Sequence, residues 1–152
     1  MSDKASADIT VITKENLSTS GVTLEQAVAF LHDHLEEFRD TPAAIENAIR
    51  FALSANNREK GFLIAAHKGG ELAGLVVMNE TGMDGYVPPH FLVYIAVNRN
   101  FRKQGIGKQL MKTAISETKG DISLHVEYDN PAKKLYEAVG FTSKYAEMRL
   151  PR

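Results

Sequence analysis

The chain reads as one α+β domain: a mixed, mostly antiparallel, twisted sheet flanked by helices, in the order β-α-α-β-β-β-α-β-α-β. Three observations predict this. Short runs with strand alternation or unbroken apolarity are interleaved with apolar stripes at helical spacing. Lys68-Gly69-Gly70 separates two apolar runs, a hairpin signal with glycine in the connection. A helical stripe also lies between the strand-like runs ending at Val97 and beginning at Ile122, the layout of a parallel crossover. The 152 residues suffice for a single core-forming domain over 1–152, and no repeat or linker divides them.

Asp8 to Thr13 (DITVIT) alternates as a first strand. Thr23 then stands as an N-cap before Leu24, Ala27, Val28, Leu31, Leu35 and Phe38, one helical stripe. Thr41-Pro42 opens a second helix, with Ile45, Ala48, Ile49, Ala52 and Leu53 inward and a stop near Asn56-Asn57. Gly61–His67 and Glu71–Met78 form the hairpin, and Gly82–Pro89 is a loop rich in glycine and proline. Phe91–Val97 (FLVYIAV) is apolar throughout, as a central strand covered on both faces would be. Ile106, Leu110, Ala114 and Ile115 mark one face of the next helix, closed by Lys119-Gly120. Ile122–Tyr128 alternates as a strand, Ala132, Leu135, Tyr136 and Val139 form a short helix, and Phe141–Leu150 supplies a final strand.

Composition narrows the function. A net charge of −1 and a pI near 6.5 argue against a general nucleic-acid or membrane-surface binder. The absence of cysteine excludes disulfides, thiolate metal sites and a cysteine nucleophile. No apolar run reaches the roughly 20 residues of a membrane helix. Met1–Asp8 lacks the layout of a signal peptide, so a cytoplasmic protein is expected. His32 and His34, two apart on a helix, diverge, and no metal site is expected.

Against this neutral background the segment FRKQGIGKQLM (101–111) stands out. Residues 99–119 hold six basic side chains (Arg99, Arg102, Lys103, Lys108, Lys112, Lys119) against Glu117 alone. Gly105 and Gly107 precede a helix start. A phosphate-binding P-loop would need glycine at Arg102 and Ser or Thr at Gln109, and a dinucleotide fingerprint would need glycine at Leu110. Neither spacing is met. An apolar strand, a glycine loop and a helix N-terminus remain, whose outward N–H groups and dipole suit a phosphate. The local positive charge points to a polyphosphate ligand.

Arg102-Lys103-Gln104-Gly105-Ile106-Gly107 resembles the R/Q-x-x-G-x-G/A segment of the Gcn5-related N-acetyltransferases (GNAT). DNPAKKLYEAVGF (129–141) is similar to that family's N-x-x-A-x-x-L-Y-E-x-x-G-F. The motif-bearing stretch runs from about 91 to 141; Arg99 and Lys103 stand where proline and glycine are common. The resemblance implies a GNAT-like fold and acetyl-CoA as co-substrate. The backbone of Ile95, Ala96 and Val97 would take the pantetheine arm, and Arg102, Lys103, Gln104, Gly105, Ile106, Gly107 and Lys108 would cradle the pyrophosphate. It also implies that Tyr136 protonates the departing thiolate; from the helix pattern alone, a core tyrosine serves equally well. The family asparagine aligns with Asn130 when counted from the strand, and Asp129 is the rival when counted from Tyr136.

An attacking amine must lose a proton. His125 and Glu127, two apart on a strand, share a face and are the candidate bases; an ordinary edge-facing polar pair is the alternative. From Glu25 to Glu46 six acids (Glu25, Asp33, Glu36, Glu37, Asp40, Glu46) face Arg39 alone, the pattern of a solvated outer face or of a wall for a cationic acceptor. The expected activity is direct acetyl transfer to a primary amine, on a small molecule, peptide or protein. A non-catalytic acyl-CoA sensor of the same fold is the alternative. Similar enzymes are frequently homodimers.

Overall fold

The computed structural model describes residues 7–152. Strands β1 (Asp8–Ile12), β2 (Gly61–Lys68), β3 (Glu71–Glu80), β4 (His90–Val97) and β5 (Ile122–Leu124) form one sheet in the order β1-β2-β3-β4-β5. The first four pair antiparallel, and β5 lies parallel to β4 after the crossover through helix α3 (Ile106–Ser116). Gly69 and Gly70 close the β2–β3 hairpin at φ +60° and +81°, a backbone that residues with a Cβ rarely adopt.

Helices α1 (Leu24–His34) and α2 (Pro42–Ala52) cover one sheet face, where Leu31, Ile45 and Ile49 pack on Leu63, Leu75 and Val77. Thr23 and Gln26 cap α1 reciprocally, and Thr41 Oγ1 accepts from the N–H of Ala44 at the start of α2. Helices α3 and α4 (Ala132–Ala138) cover the other face, with Ile106, Leu110, Met111 and Tyr136 against Ile64, Val76 and Ile95. Among the described residues no helix is long and apolar enough to cross a membrane.

The structure departs from the sequence pattern in four places. The stripe from Leu24 to Phe38 is not one helix: α1 ends at His34, and Glu36–Phe38 form a separate 3-10 turn. Glu36 stands at φ +56°, held by ion pairs to Arg99 and Arg102 that no local pattern reveals. The fifth strand stops at Leu124 instead of Tyr128. Beside it, β4 carries an extra residue: Val77 pairs with Tyr94 and Met78 with Leu92, leaving Val93 unmatched in a β-bulge. A bulge bends its strand, and β4–β5 pairing ends at Leu92–Leu124. Phe141–Leu150 forms no strand, for alternation makes a strand only beside a free edge, and 125–128 is not in strand form to offer one. Tyr145 and Met148 are accordingly 82% and 91% exposed. Finally, Ile115 is exposed, and Met111 fills the inward position of α3 instead.

Candidate active site

The site begins where β4 and β5 part. His90, Phe91 and Leu92 pair with β5, whereas 93–97 have no strand on that side among the described residues. Ile95, Ala96 and Val97 are held on their other edge by Val76, Leu75 and Gly74. A wedge therefore opens along the backbone of β4, beginning at the bulge. Asn98 terminates it. This side chain is buried, donating to Leu72 O (3.2 Å) and accepting from the N–H of Asn100 (2.9 Å), while its own N–H donates to Ala73 O (2.8 Å). A buried, fully engaged amide of this kind sets where the strand ends and the loop begins.

At the mouth of the wedge, 99–105 lead into α3. Gly105 is the N-cap at φ +84°, with open space where a Cβ would lie; its need is conformational. Gly107 has a different reason. A Cβ there would sit 3.3 Å from Leu135 Cδ2 on α4 and 3.6 Å from Val97 Cγ2 on β4. The three elements named by the motifs thus meet at one glycine. No side chain caps α3 and no acidic residue lies in its first turn, so the N–H groups of Ile106, Gly107 and Lys108 point outward together. Lys103, at φ +65°, and Lys108 are exposed beside them.

The other side chains of the basic loop are engaged within the protein. Gln104 Oε1 accepts from Lys68 Nζ at 2.6 Å, tying the loop to β2. Arg102 donates from Nε to Val97 O (3.1 Å), from one terminal nitrogen to His34 O (2.7 Å) and from the other to Glu36 (3.4 Å). Arg99 binds Asp33 and Glu36. Hydrogen bonds from Arg99 hold both carboxyls below the usual carboxylate range, with Arg102 contributing at Glu36. Two of the six basic residues attributed to phosphate charge are therefore matched by acids from α1 and the turn after it.

Tyr136 on α4 is 8% exposed and joins the buried cluster that contains Ile95 and Ile106. Its ring packs edge-on against Phe141, 6.0 Å between centroids. Burial alone pushes the phenol up to about 12, keeping it protonated at neutral pH. Asn130 Oδ1 accepts from the N–H of Ala132 (2.9 Å), starting α4 through its own turn, while Asp129 is exposed. His125 and Glu127 follow the end of β5, both exposed. His125 packs edge-on to Phe91, 4.9 Å between centroids, toward the start of β4.

On the opposite face of the sheet, Tyr94 in the bulge donates to Asp40 Oδ2 at 2.6 Å. Desolvation, then this bond, raises the Tyr94 phenol well above its usual value. The acids between 25 and 46 are therefore not only an outer face: Asp33, Glu36 and Asp40 bind Arg99, Arg102 and Tyr94. His34 carried no motif, and Tyr94 and Asn98 lie in the stretch that resembles the family without a role assigned to them. The polar Asn98 directly after an apolar strand was the one local hint.

Known proteins share this fold. The sequence pattern of the acetyltransferase (GNAT) family matches residues 27–141. No curated protein matches the chain. Among solved structures, a putative acetyl transferase from Pyrococcus furiosus is 23% identical, with a TM-score of 0.69 over 95% of this chain and 100% of that one. A ribosomal-protein-alanine N-acetyltransferase from Brucella melitensis biovar Abortus 2308 is 14% identical, with a TM-score of 0.68 over 96% and 99%. The aminoglycoside N-acetyltransferase AAC(6')-Iy, in complex with CoA, is 18% identical, with a TM-score of 0.68 over 100% and 99%. At these identities the structures share the fold, and the family match carries the assignment. The open β4 edge, the uncapped α3 start and the buried tyrosine thus sit in a chain that belongs to the GNAT acetyltransferase family.

Proposed function

We propose that this protein is an acetyl-CoA-dependent N-acetyltransferase that transfers its acetyl group directly to a primary amine within a ternary complex. The observation that carries this reading is the convergence at Gly107 of β4, the α3 N-terminus and the helix bearing Tyr136. The N–H groups at 106–108, with Lys103 and Lys108, would bind the pyrophosphate. Lys68 steadies Gln104 and Arg102 steadies the loop from behind. The unpaired edge at Ile95–Val97 would take the pantetheine amides as an added half-strand. An N–H at the bulge would polarise the thioester carbonyl, since hydrogen-bond donors aimed at developing oxyanion charge are effective in water-poor sites. A relative of the same fold in complex with CoA supports acetyl-CoA as the co-substrate.

Neutral amine attacks the carbonyl carbon, the C–N bond forms, and the C–S bond then breaks. The phenol of Tyr136 gives its proton to the leaving sulfur, and the ammonium proton leaves through water. The products are an acetamide and CoA thiol. Tyr136, buried and protonated, suits a donor. His125 and Glu127 lie in solvent and would accept the amine proton through water. Asn130, its oxygen engaged with Ala132, would present only its Nδ2 to CoA. CoA release measured over a panel of primary amines tests the reading. Release that depends on acetyl-CoA and on one amine class supports catalysis; CoA binding without release from any amine supports a non-catalytic sensor instead.

A further inference from the structure

Arg99 and Arg102, though 43% and 40% exposed, hydrogen-bond to α1 and the turn after it, and the reason centres on His34. The Arg99 N–H donates to His34 Nδ1 at 3.2 Å, and Arg102 donates to the carbonyl of the same residue at 2.7 Å. Around the imidazole stand Asp33 from α1, Glu36 from the following turn, and Arg99 and Arg102 from the loop; the Phe30 ring lies 4.5 Å away between centroids. With Nδ1 accepting, the proton of neutral His34 belongs on Nε2, which points toward Asp33 Oδ2 at 3.6 Å.

We infer that His34 is a positioning residue for the CoA-binding loop, and that its neutral imidazole latches 99–102 to α1 so that acid releases the loop. A second proton on His34 would sit on Nδ1 and face the Arg99 N–H, donor against donor. It would also place a cation beside two guanidinium groups already paired with Asp33 and Glu36. Burial, the largest influence, together with Arg99 and Arg102, keeps the imidazole below its usual value, against the pull of Asp33 and Glu36. The loop that shapes the α3 N-terminus is therefore braced from α1, across the top of the sheet. The two arginines serve that brace, and the anion falls to backbone N–H groups and lysines.

This inference rests on the acetyl-CoA reading only for its effect on ligand, so the test has two arms. In the ligand-free protein, the backbone amide resonance of Arg99 should shift in the wild type as acid protonates His34, at a pH below the ordinary imidazole range. It should stop doing so in His34→Asn, whose side-chain oxygen takes the Nδ1 place and cannot protonate. In the second arm, the CoA dissociation constant is compared at pH 7.5 and at the acid end of that titration. Protonation of CoA itself affects both proteins alike, so the ratio of ratios isolates His34. The wild type should lose about fivefold more affinity than His34→Asn, the scale of one hydrogen bond. His34→Ala, lacking any acceptor, should bind weakly at both values, with the folded state verified by circular dichroism. An Arg99 amide that ignores pH in the wild type, or equal acid losses in wild type and His34→Asn, overturns the latch. Titration of Arg99 without any CoA binding would keep the latch and overturn the donor reading.

Discussion

The hydroxyl of Tyr94 donates a 2.6 Å hydrogen bond to Asp40, joining the bulge of β4 to the loop that leads into α2. Burial makes this phenol resist ionisation, and the neighbouring carboxylate adds to that resistance. The sign follows: the unfolded phenol ionises near pH 10 while the folded one does not. The contribution is intact below pH 10 and is lost as pH rises above it. Denaturant midpoints measured at pH 8 and pH 10.5 should therefore fall less in Tyr94→Phe than in the wild type. At pH 8 the variant should cost about 1 kcal/mol for the lost bond. An equal alkaline drop in both proteins would show that Asp40 and Tyr94 do not interact in solution.

Tyr136→Phe should lower turnover by about 100-fold or more, the usual scale of positioned proton donation, while CoA affinity stays within a factor of a few. The buried phenol, near 12, should show no ionisation limb in the turnover profile below pH 10. Steady-state turnover and calorimetric CoA binding on the same samples check this. Equal losses in both quantities would mean that the ring packs and does not donate.

The two loop glycines should fail differently. Gly105→Ala meets no neighbour but must hold φ +84°, at a cost of about 1 kcal/mol. Gly107→Ala has ordinary φ and meets Val97 at normal contact distance, but presses on Leu135, which must give by a few tenths of an ångström on the α4 side. Gly107→Ala combined with Leu135→Ala should recover CoA affinity, whereas Gly105→Ala should not respond to Leu135→Ala. Affinities for the four proteins decide it.

Arg102→Ala should weaken CoA binding about fivefold through lost bracing of the loop. In a Glu36→Ala background, where Arg102 loses its ion pair but keeps the carbonyls of His34 and Val97, the same change should cost somewhat less. Lys108→Ala should cost the same in both backgrounds and show the stronger dependence on salt, as a solvent-exposed charge does. An Arg102→Ala effect with the same salt dependence as Lys108→Ala would return its guanidinium to the phosphates.

Much of this was legible in the residues. Thr23 and Thr41 announced their helices, Gly69-Gly70 its hairpin, and the apolar run to Val97 the central strand, because caps, turns and burial are written in neighbouring side chains. The resemblance at 102–107 and 129–141 pointed to the loop and to Tyr136 as a candidate site. The bulge at Val93 was not legible, since it depends on how Met78 and Val77 align across the sheet. The partners of Arg99 lay equally hidden, because Asp33 and Glu36 are more than sixty residues away in the chain.

The sequence by itself determined the family, the order of elements up to α4 and the identity of the residues at the loop and on the last helix. Those depend on short-range periodicity and motif spacing. Tertiary structure decided where β5 leaves β4, why Phe141–Leu150 stays outside the sheet, and what each basic side chain binds. Charge counting along 99–119 could assign Arg99 and Arg102 only to a ligand. Folding brings α1 and the turn after it against the loop, and the nearby carboxylates and the His34 carbonyl claim those arginines first.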